Sequence, residues 1–285
     1  MIPNTLTIAG VDPSGGAGVL ADVKAMSALG AYGMAVIAAL TAQNTQAVTG
    51  ISPVPADFVA AQIDTLFADV RVDAVKIGML GQESVTLAVA DRLAHWRPAH
   101  IVLDPVMVAK SGDHLLEKRA VSALREGLLP LAEIITPNLP EAGVLLGSTP
   151  ADNLKDMRRM AERLRRLLSD DEDRWVFLKG GHLPGNDTID ILHNGDRLIE
   201  IPGRRIETRN THGTGCTLSA ALAALLPRAA DVPEAAHRAK DYLVRAIASA
   251  DALSVGSGHG PVQHFHAWWP HERAGHSARG TVPGL

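Results

Sequence analysis

The segment at residues 211–219 reads Thr-His-Gly-Thr-Gly-Cys-Thr-Leu-Ser and runs directly into an apolar, alanine-rich helix predicted for residues 218–226. Its two glycines, Gly213 and Gly215, flank Thr214, and their conformational freedom allows backbone N–H groups to converge on one point. The helix that follows adds its own unpaired N–H groups and the positive end of its dipole. This combination is typical of an anion-binding loop, and phosphate suits it best because a phosphate accepts several N–H bonds at once.

Cys216 is the only cysteine of the chain and lies where this helix begins. A helix N-terminus favours a thiolate over a thiol, so we expect Cys216 to be acidic and reactive. A lone cysteine is also commonly a small, buried, apolar side chain. The sequence leaves both interpretations open.

The composition limits the class of protein. With 285 residues, 46% of them hydrophobic, the chain is long enough for a sizeable core. No apolar run reaches the roughly 18 residues of a membrane span, and the N-terminus lacks the features of a secretory signal, so we expect a cytoplasmic protein. A single cysteine excludes an internal disulfide and zinc sites built on several cysteines. The net charge of −4 gives no reason to expect nucleic acid or an acidic membrane as a partner, which leaves small-molecule chemistry.

Apolar strand segments alternate with predicted helices along the chain. The main predicted strands cover residues 5–9, 34–40, 74–77, 101–103, 133–136 and 175–178. Alternation of this kind predicts an α/β fold with a mainly parallel central sheet, helices on both faces, and a site at the carboxyl ends of the strands. Asn194-Gly195 lies between two further strand segments and predicts a hairpin. We expect a single domain over residues 1–269, followed by a disordered tail at residues 270–285.

Two loops that follow predicted strands carry candidate ligand-binding residues. The loop at residues 10–18 is rich in glycine but has neither the dinucleotide pattern nor the Walker pattern. It either lets a flat ligand lie close to the backbone or is a plain tight turn. Gln43 lies just past the second predicted strand, where its amide either binds the edge of a heterocycle or ties down the loop.

Charged residues near other strand ends suggest phosphate and metal binding. Asp104 follows a fully apolar strand, where a carboxylate lines the crevice or caps a helix. Asn138 and Glu141 have the three-residue offset of a capping box, and the alternative is that Glu141 holds hydrated magnesium. Lys179, after another strand, is either a point charge for a phosphate or an ordinary surface lysine. Together with the loop at residues 213–216, these residues predict a phosphate-handling enzyme.

The motifs resemble those of the hydroxymethylpyrimidine/phosphomethylpyrimidine kinase family, a branch of the ribokinase superfamily. The resemblance covers roughly residues 5–269 and is carried, in chain order, by TIAGVDPSGGAG, LTAQNT, KIGML, AKSGD, ITPNLPEA, LKGGH, THGTGCTLSAA and GPVQHFHAWW. The superfamily generally has aspartate where this chain has Cys216, and cysteine there is typical of the pyrimidine-kinase branch, although some pyridoxal kinases share it. A pyridoxal kinase of the same superfamily and a non-enzymatic sensor of the pyrimidine are the alternatives.

The resemblance implies a ribokinase-like fold and ATP- and magnesium-dependent phosphorylation of a small aminopyrimidine and its phosphate in thiamine biosynthesis. We also expect a homodimer. The expected pyrimidine-site residues are Asp12, Ala17, Gln43, Met79 and Val106, with Gln43 hydrogen-bonded to the ring. The expected nucleotide-site residues are Asp104, Asn138, Lys179 and Thr211, with Glu141 as the magnesium ligand. The expected catalytic residues are Gly213, Thr214, Gly215 and Cys216.

Overall fold

The computed structural model describes residues 1–107, 118–169 and 173–269. The strands are β1 Asn4–Val11, β2 Tyr32–Gln43, β3 Val48–Pro53, β4 Ala74–Ile77, β5 Ile101–Leu103, β6 Ile134–Ile135, β7 Trp175–Leu178, β8 Asp190–His193 and β9 Leu198–Ile201. The α-helices are α1 Gly18–Ala28, α2 Ala56–Phe67, α3 Glu83–Trp96, α4 Lys118–Ala123, α5 Leu139–Leu146, α6 Leu154–Arg165, α7 Thr214–Leu225 and α8 Val232–Ala248. The predicted tail at 270–285 and the AKSGD motif at 109–113 lie outside the described residues.

These strands form one sheet in the order β3-β2-β1-β4-β5-β6-β7-β8-β9. Every pairing from β2 to β7 is parallel, whereas β3, β8 and β9 pair antiparallel at the two ends of the sheet. The predicted mainly parallel sheet is therefore confirmed, as is the hairpin at Asn194-Gly195. β3 was not predicted because its segment contains Gly50 and Pro53, which disfavour strands. Gln43, expected just past a strand, is in fact the last residue of β2.

Helices cover both faces of the sheet, as predicted. One face packs against α1, α7 and α8, and the other against α2, α3, α5 and α6. A strand covered on both sides buries all its side chains, which explains why the central strands read as nearly continuous apolar runs. Lys76 in β4 is an exception, because its fully buried ammonium group lies on the α1 face of the sheet. No α-helix in the described ranges combines the length and apolarity needed to cross a bilayer.

Candidate active site

The loop that precedes α7 has the geometry of an anion-binding site. Gly213 is the residue before the first turn of α7 and has a left-handed backbone with φ of 76°. A Cβ on Gly213 would lie 1.8 Å from the carbonyl oxygen of Gly16, so the two loops are in direct backbone contact. No side chain caps this helix within the described part of the chain. The N–H groups of Thr214, Gly215 and Cys216 therefore remain available to an anion.

Asp104, Glu141 and Lys179 form a charged cluster beside this loop. A Cβ on Gly215 would lie 3.3 Å from Lys179 Nζ and 3.5 Å from Asp104 Oδ2. Lys179 Nζ donates a hydrogen bond to Asp104 Oδ1 at 3.0 Å and lies 3.8 Å from Glu141 Oε2. The ends of β5 and β7 and the first turn of α5 thus bring together three charged residues that the sequence predicted for the nucleotide and the metal.

The protonation behaviour of this cluster reflects two carboxylates that share one ammonium group. Burial by itself raises the pKa of Asp104, but Lys179 and Lys76 outweigh burial and hold that pKa below its usual value. Burial raises the pKa of Glu141 to about 7, and Lys179 opposes this rise only in part. Burial by itself lowers the pKa of Lys179, whereas Asp104 and Glu141 hold it above its usual value. An added cation would offset the remaining negative charge.

Asn138 and Glu141 form the capping box that the sequence predicted for α5. Asn138 Oδ1 accepts a hydrogen bond from the Glu141 backbone N–H at 2.8 Å, and Glu141 Oε2 accepts one from the Asn138 N–H at 2.7 Å. Glu141 Oε1 makes no hydrogen bond to any described residue. Capping and metal binding are therefore compatible, since one carboxylate oxygen serves each.

The side chains of this cluster fit a hydrated divalent cation. Within residues 1–107, 118–169 and 173–269, no group of three or more His, Cys, Asp or Glu side chains is arranged to hold a metal ion. Magnesium does not need such a group, because it keeps several waters and takes only one or two carboxylates. Asp104 and Glu141 supply that number, beside a loop that suits phosphate.

Sequence reasoning missed two hydroxyl groups near Asp104. The Thr136 hydroxyl group holds Asp104 in place, whereas the Ser219 hydroxyl group lies closer to the carbonyl oxygens of Gly215 and Cys216 in its own helix. Thr136 Oγ1 donates to Asp104 Oδ1 at 2.9 Å, and Ser219 Oγ lies 3.4 Å from Asp104 Oδ2. Thr136 directly follows β6, and Ser219 is in the second turn of α7. The signal in the sequence was that Thr136 lies within the ITPNLPEA motif and Ser219 within the THGTGCTLSAA motif.

The expected acidity of Cys216 is wrong for this structure. Part of the residue is exposed, yet burial raises the pKa of its thiol to about 11. The Lys76 ammonium and a hydrogen bond from the Gly18 backbone lower this pKa only in part. Loss of hydration here exceeds the stabilisation that those charges and dipoles give the thiolate. A thiol of this kind is rarely ionised at neutral pH but is a strong base once ionised.

Lys76 and Asp22 form a fully buried ion pair behind the anion-binding loop. Lys76 Nζ donates to Asp22 Oδ2 at 2.7 Å, and both side chains are 0% exposed. Thr7 Oγ1 donates to the same carboxylate at 2.6 Å. Burial by itself lowers the pKa of Lys76, but the charges of Asp22 and Asp104 and the hydrogen bond to Asp22 hold it above its usual value. A charged residue within the apolar segment 74–77 was the available signal, and sequence reasoning did not use it.

The predicted pyrimidine-site residues lie at neighbouring strand ends. Ala17, Gln43, Met79 and Val106 are each partly exposed, after or at the ends of β1, β2, β4 and β5. Gln43 Oε1 lies 3.1 Å from Thr41 Oγ1, while its Nε2 makes no hydrogen bond among the described residues. That nitrogen is available to a ligand.

Asp12 lies buried behind the predicted pyrimidine site, where its carboxylate accepts the Ala17 N–H, and Thr211 lies apart from the charged cluster. Asp12 is only 3% exposed, and its carboxylate accepts hydrogen bonds from the residues of its own loop and from His212. Burial by itself raises the pKa of Asp12, but these hydrogen bonds hold it below its usual value. The Thr211 backbone N–H donates to the Arg209 carbonyl oxygen at 3.1 Å, and no described contact joins Thr211 to Lys179. The roles assigned to these residues toward substrate and nucleotide stay predictions.

Comparisons with known proteins agree with this geometry. The model of the phosphomethylpyrimidine kinase family matches residues 12–263. A hydroxymethylpyrimidine/phosphomethylpyrimidine kinase of Escherichia coli strain K12 is 52% identical over 266 residues, which are 93% of this chain and 98% of that protein. The solved structure of a Bacillus subtilis pyridoxal kinase in complex with ADP matches with a TM-score of 0.85 at 34% identity, over 94% of this chain and 99% of that one.

A solved phosphomethylpyrimidine kinase of Clostridium difficile 630 matches with a TM-score of 0.75 at 40% identity, over 87% of this chain and 100% of that one. These likenesses confirm the ribokinase-like fold. The family model and the E. coli relative both span most of the chain. The chain therefore belongs to the phosphomethylpyrimidine kinase family.

Proposed function

We propose that this chain phosphorylates 4-amino-5-hydroxymethyl-2-methylpyrimidine and then its phosphate, with ATP as the donor, in thiamine biosynthesis. The observation that carries the proposal is the placement of Gly215, in an uncapped helix N-terminus, against Lys179 and Asp104. The Lys179 ammonium group and the Asp104 carboxylate therefore lie beside the first turn of α7, which supports a role in phosphate handling. The names of the relatives supply the identity of the two acceptors.

The residues of the site match what phosphoryl transfer requires. The transition state is loose, so positioning and charge neutralisation matter more than covalent help. The N–H groups of residues 214–216 would hold the charge that develops on the transferred group. Lys179 would offset charge on the nucleotide phosphates. Magnesium, when bound by Glu141 and Asp104, would neutralise further phosphate charge.

A pyridoxal kinase is the second candidate, because a pyridoxal kinase is among the solved structures that resemble this chain. An ATPase assay with the hydroxymethylpyrimidine, its phosphate and pyridoxal, offered separately, distinguishes the candidates. We expect turnover with both pyrimidines. ATP consumption with pyridoxal alone would establish the second candidate, and none with any acceptor would favour a sensor.

The homodimer and the cytoplasmic location also stand as proposals. A sedimentation experiment tests the first, because a homodimer has twice the 30.1 kDa mass of the chain.

Gln43→Leu is expected to raise KM for the pyrimidine about 5- to 150-fold with little change in KM for ATP. The physical reason is that an unpaired polar group of the ring in a dry pocket costs about 1 to 3 kcal/mol. Steady-state kinetics with each substrate varied in turn measures the effect. The matched control is Gln62→Leu, since among the described residues the Gln62 side chain bonds the Ile37 backbone alone and should affect stability rather than KM. An equal rise in KM for the pyrimidine and for ATP after Gln43→Leu would mean that Gln43 only supports its loop.

Glu141→Gln is expected to raise the magnesium concentration needed for half-maximal activity by about tenfold or more. Glutamine keeps the capping box but removes the charge, so the melting temperature without metal should change little. The control is Glu234→Gln, because Glu234 accepts a hydrogen bond from Ala230 at the start of α8, away from the cluster. An unchanged magnesium requirement in Glu141→Gln would assign Glu141 to capping alone.

A further inference from the structure

A buried histidine–carboxylate pair joins the loop at residues 10–18 to the anion-binding loop. His212 Nε2 lies 2.7 Å from Asp12 Oδ2, across 200 residues of sequence. The side chains are 10% and 3% exposed. Since a carboxylate only accepts, the imidazole donates its Nε2–H to Asp12. His212 directly precedes Gly213, so the pair holds the first residue of the anion-binding site.

The same carboxylate shapes the loop that carries Ala17. Asp12 Oδ1 accepts the Ser14 N–H at 2.9 Å, while Asp12 Oδ2 lies 2.9 Å from Ser14 Oγ and accepts the Ala17 N–H at 3.0 Å. Ala17 directly precedes α1. One buried carboxylate therefore holds both Ala17, a predicted wall of the pyrimidine pocket, and His212.

Close contacts between the loops leave little room for them to shift. A Cβ on Gly16 would lie 2.3 Å from His212 Cδ2, and a Cβ on Gly213 would lie 3.4 Å from the Cα of Ala17. The His212 N–H also donates to the Gly260 carbonyl at 3.0 Å, which fixes the histidine backbone from the other side. A substitution at His212 would therefore shift both Gly213 and Ala17.

We propose that Asp12 and His212 are positioning residues. They fix the position of the pyrimidine acceptor relative to the anion-binding loop. This inference rests on the proposed function. The pair acts through Ala17 and Gly213, while Lys179 and Glu141 reach the nucleotide side of the site from other elements. Loss of the pair should therefore weaken binding of the acceptor and slow the transfer step, and should leave the affinity for ATP nearly unchanged.

The test uses His212→Leu in the full chain, with His212→Gln as the conservative variant. A glutamine amide nitrogen can take the place of Nε2 and donate to Asp12, whereas leucine has no donor. We expect His212→Leu to lower kcat/KM for the hydroxymethylpyrimidine about 10- to 100-fold, with KM for ATP within about threefold of wild type. His212→Gln should recover most of this loss.

The matched control is His100→Leu. His100 Nδ1 lies 2.7 Å from Glu133 Oε2. This pair lies at the amino-terminal ends of β5 and β6, whereas the candidate site lies at the carboxyl ends of the strands. We expect kinetics within about twofold of wild type for this variant. If His212→Leu does not fold, His212→Asn takes its place, because asparagine is too short to reach Asp12.

The outcomes separate this inference from the proposed function. A wild-type enzyme that transfers no phosphate to the pyrimidine overturns the proposed function, and this inference with it. If the wild type is active, three results overturn the positioning role alone. These are unchanged kinetics in His212→Leu, an equal loss of kcat/KM for ATP and for the pyrimidine, and no recovery in His212→Gln. Selective loss toward the pyrimidine, with recovery in glutamine, supports it.

Discussion

Cys216→Ala is expected to slow phosphorylation of the pyrimidine alcohol about 10²- to 10⁴-fold, and phosphorylation of the pyrimidine monophosphate much less. The alcohol must lose a proton as it attacks, and the Cys216 thiolate is the base that we propose for it. A phosphate monoester has a second pKa of about 6 and is already mostly ionised near neutral pH, so it needs no base. Cys216→Asp, which restores the residue usual in the superfamily, should recover part of the first activity.

The raised pKa of Cys216 adds a pH dependence to this prediction. Because burial raises that pKa to about 11, the thiolate fraction increases about tenfold for each pH unit between 7 and 9. The value of kcat/KM for the alcohol should therefore rise across this interval in the wild type. The tenfold rise per pH unit should be absent in Cys216→Ala and for the monophosphate acceptor in either protein, where titration of Glu141 near pH 7 accounts for at most about a twofold rise.

Single-turnover transfer to each acceptor with bound ATP measures these effects, because it separates the chemical step from product release. Cys216→Ser is the control for shape, since it keeps a small polar side chain whose hydroxyl group is far less ionised near neutral pH than the thiol. Equal slowing of both transfers in Cys216→Ala would show that Cys216 shapes the anion-binding loop and takes no proton.

Lys76→Met is expected to lower the free energy of unfolding by about 3 to 5 kcal/mol, because it leaves the Asp22 carboxylate buried without its cation. For a chain of this length the melting temperature should fall by roughly 5 to 15 °C. The double variant Lys76→Met with Asp22→Leu should recover most of the loss, since apolar replacement of a whole buried pair is often neutral.

The loss in Lys76→Met should depend on pH with a defined sign. Burial already raises the pKa of Asp22 above 3.8 in the wild type, and without Lys76 nothing of comparable charge opposes it. A carboxyl group whose folded pKa is raised contributes stability below its unfolded pKa and loses it as pH rises through the folded pKa. The deficit should therefore be smallest near pH 4 and grow toward pH 8.

Urea unfolding at several pH values measures this deficit. The control is Arg71→Met, which removes an exposed ion pair with Asp73 at 2.9 Å and should cost at most about 1 kcal/mol. A Lys76→Met variant no less stable than Arg71→Met would mean that water reaches Asp22 and that the pair is not structurally important.

Local patterns in the sequence determined most of the sheet and the outline of the site. The predicted strands at residues 74–77, 101–103 and 175–178 coincide with β4, β5 and β7. Apolar runs that end in glycine, proline or charged residues have few other stable conformations in an α/β chain. The capping box of Asn138 and Glu141 was predictable for a similar reason, because both partners lie within one helical turn.

Tertiary structure alone decided the electrostatics and the partners of the buried polar groups. Cys216 begins a helix, as predicted, but its pKa is set by how completely the fold removes water from the thiol. Asp12 meets His212 across 200 residues, and Lys76 meets Asp22 across 54. Desolvation and pairing depend on distances between segments that are remote in the chain, and no periodicity or local motif encodes those distances.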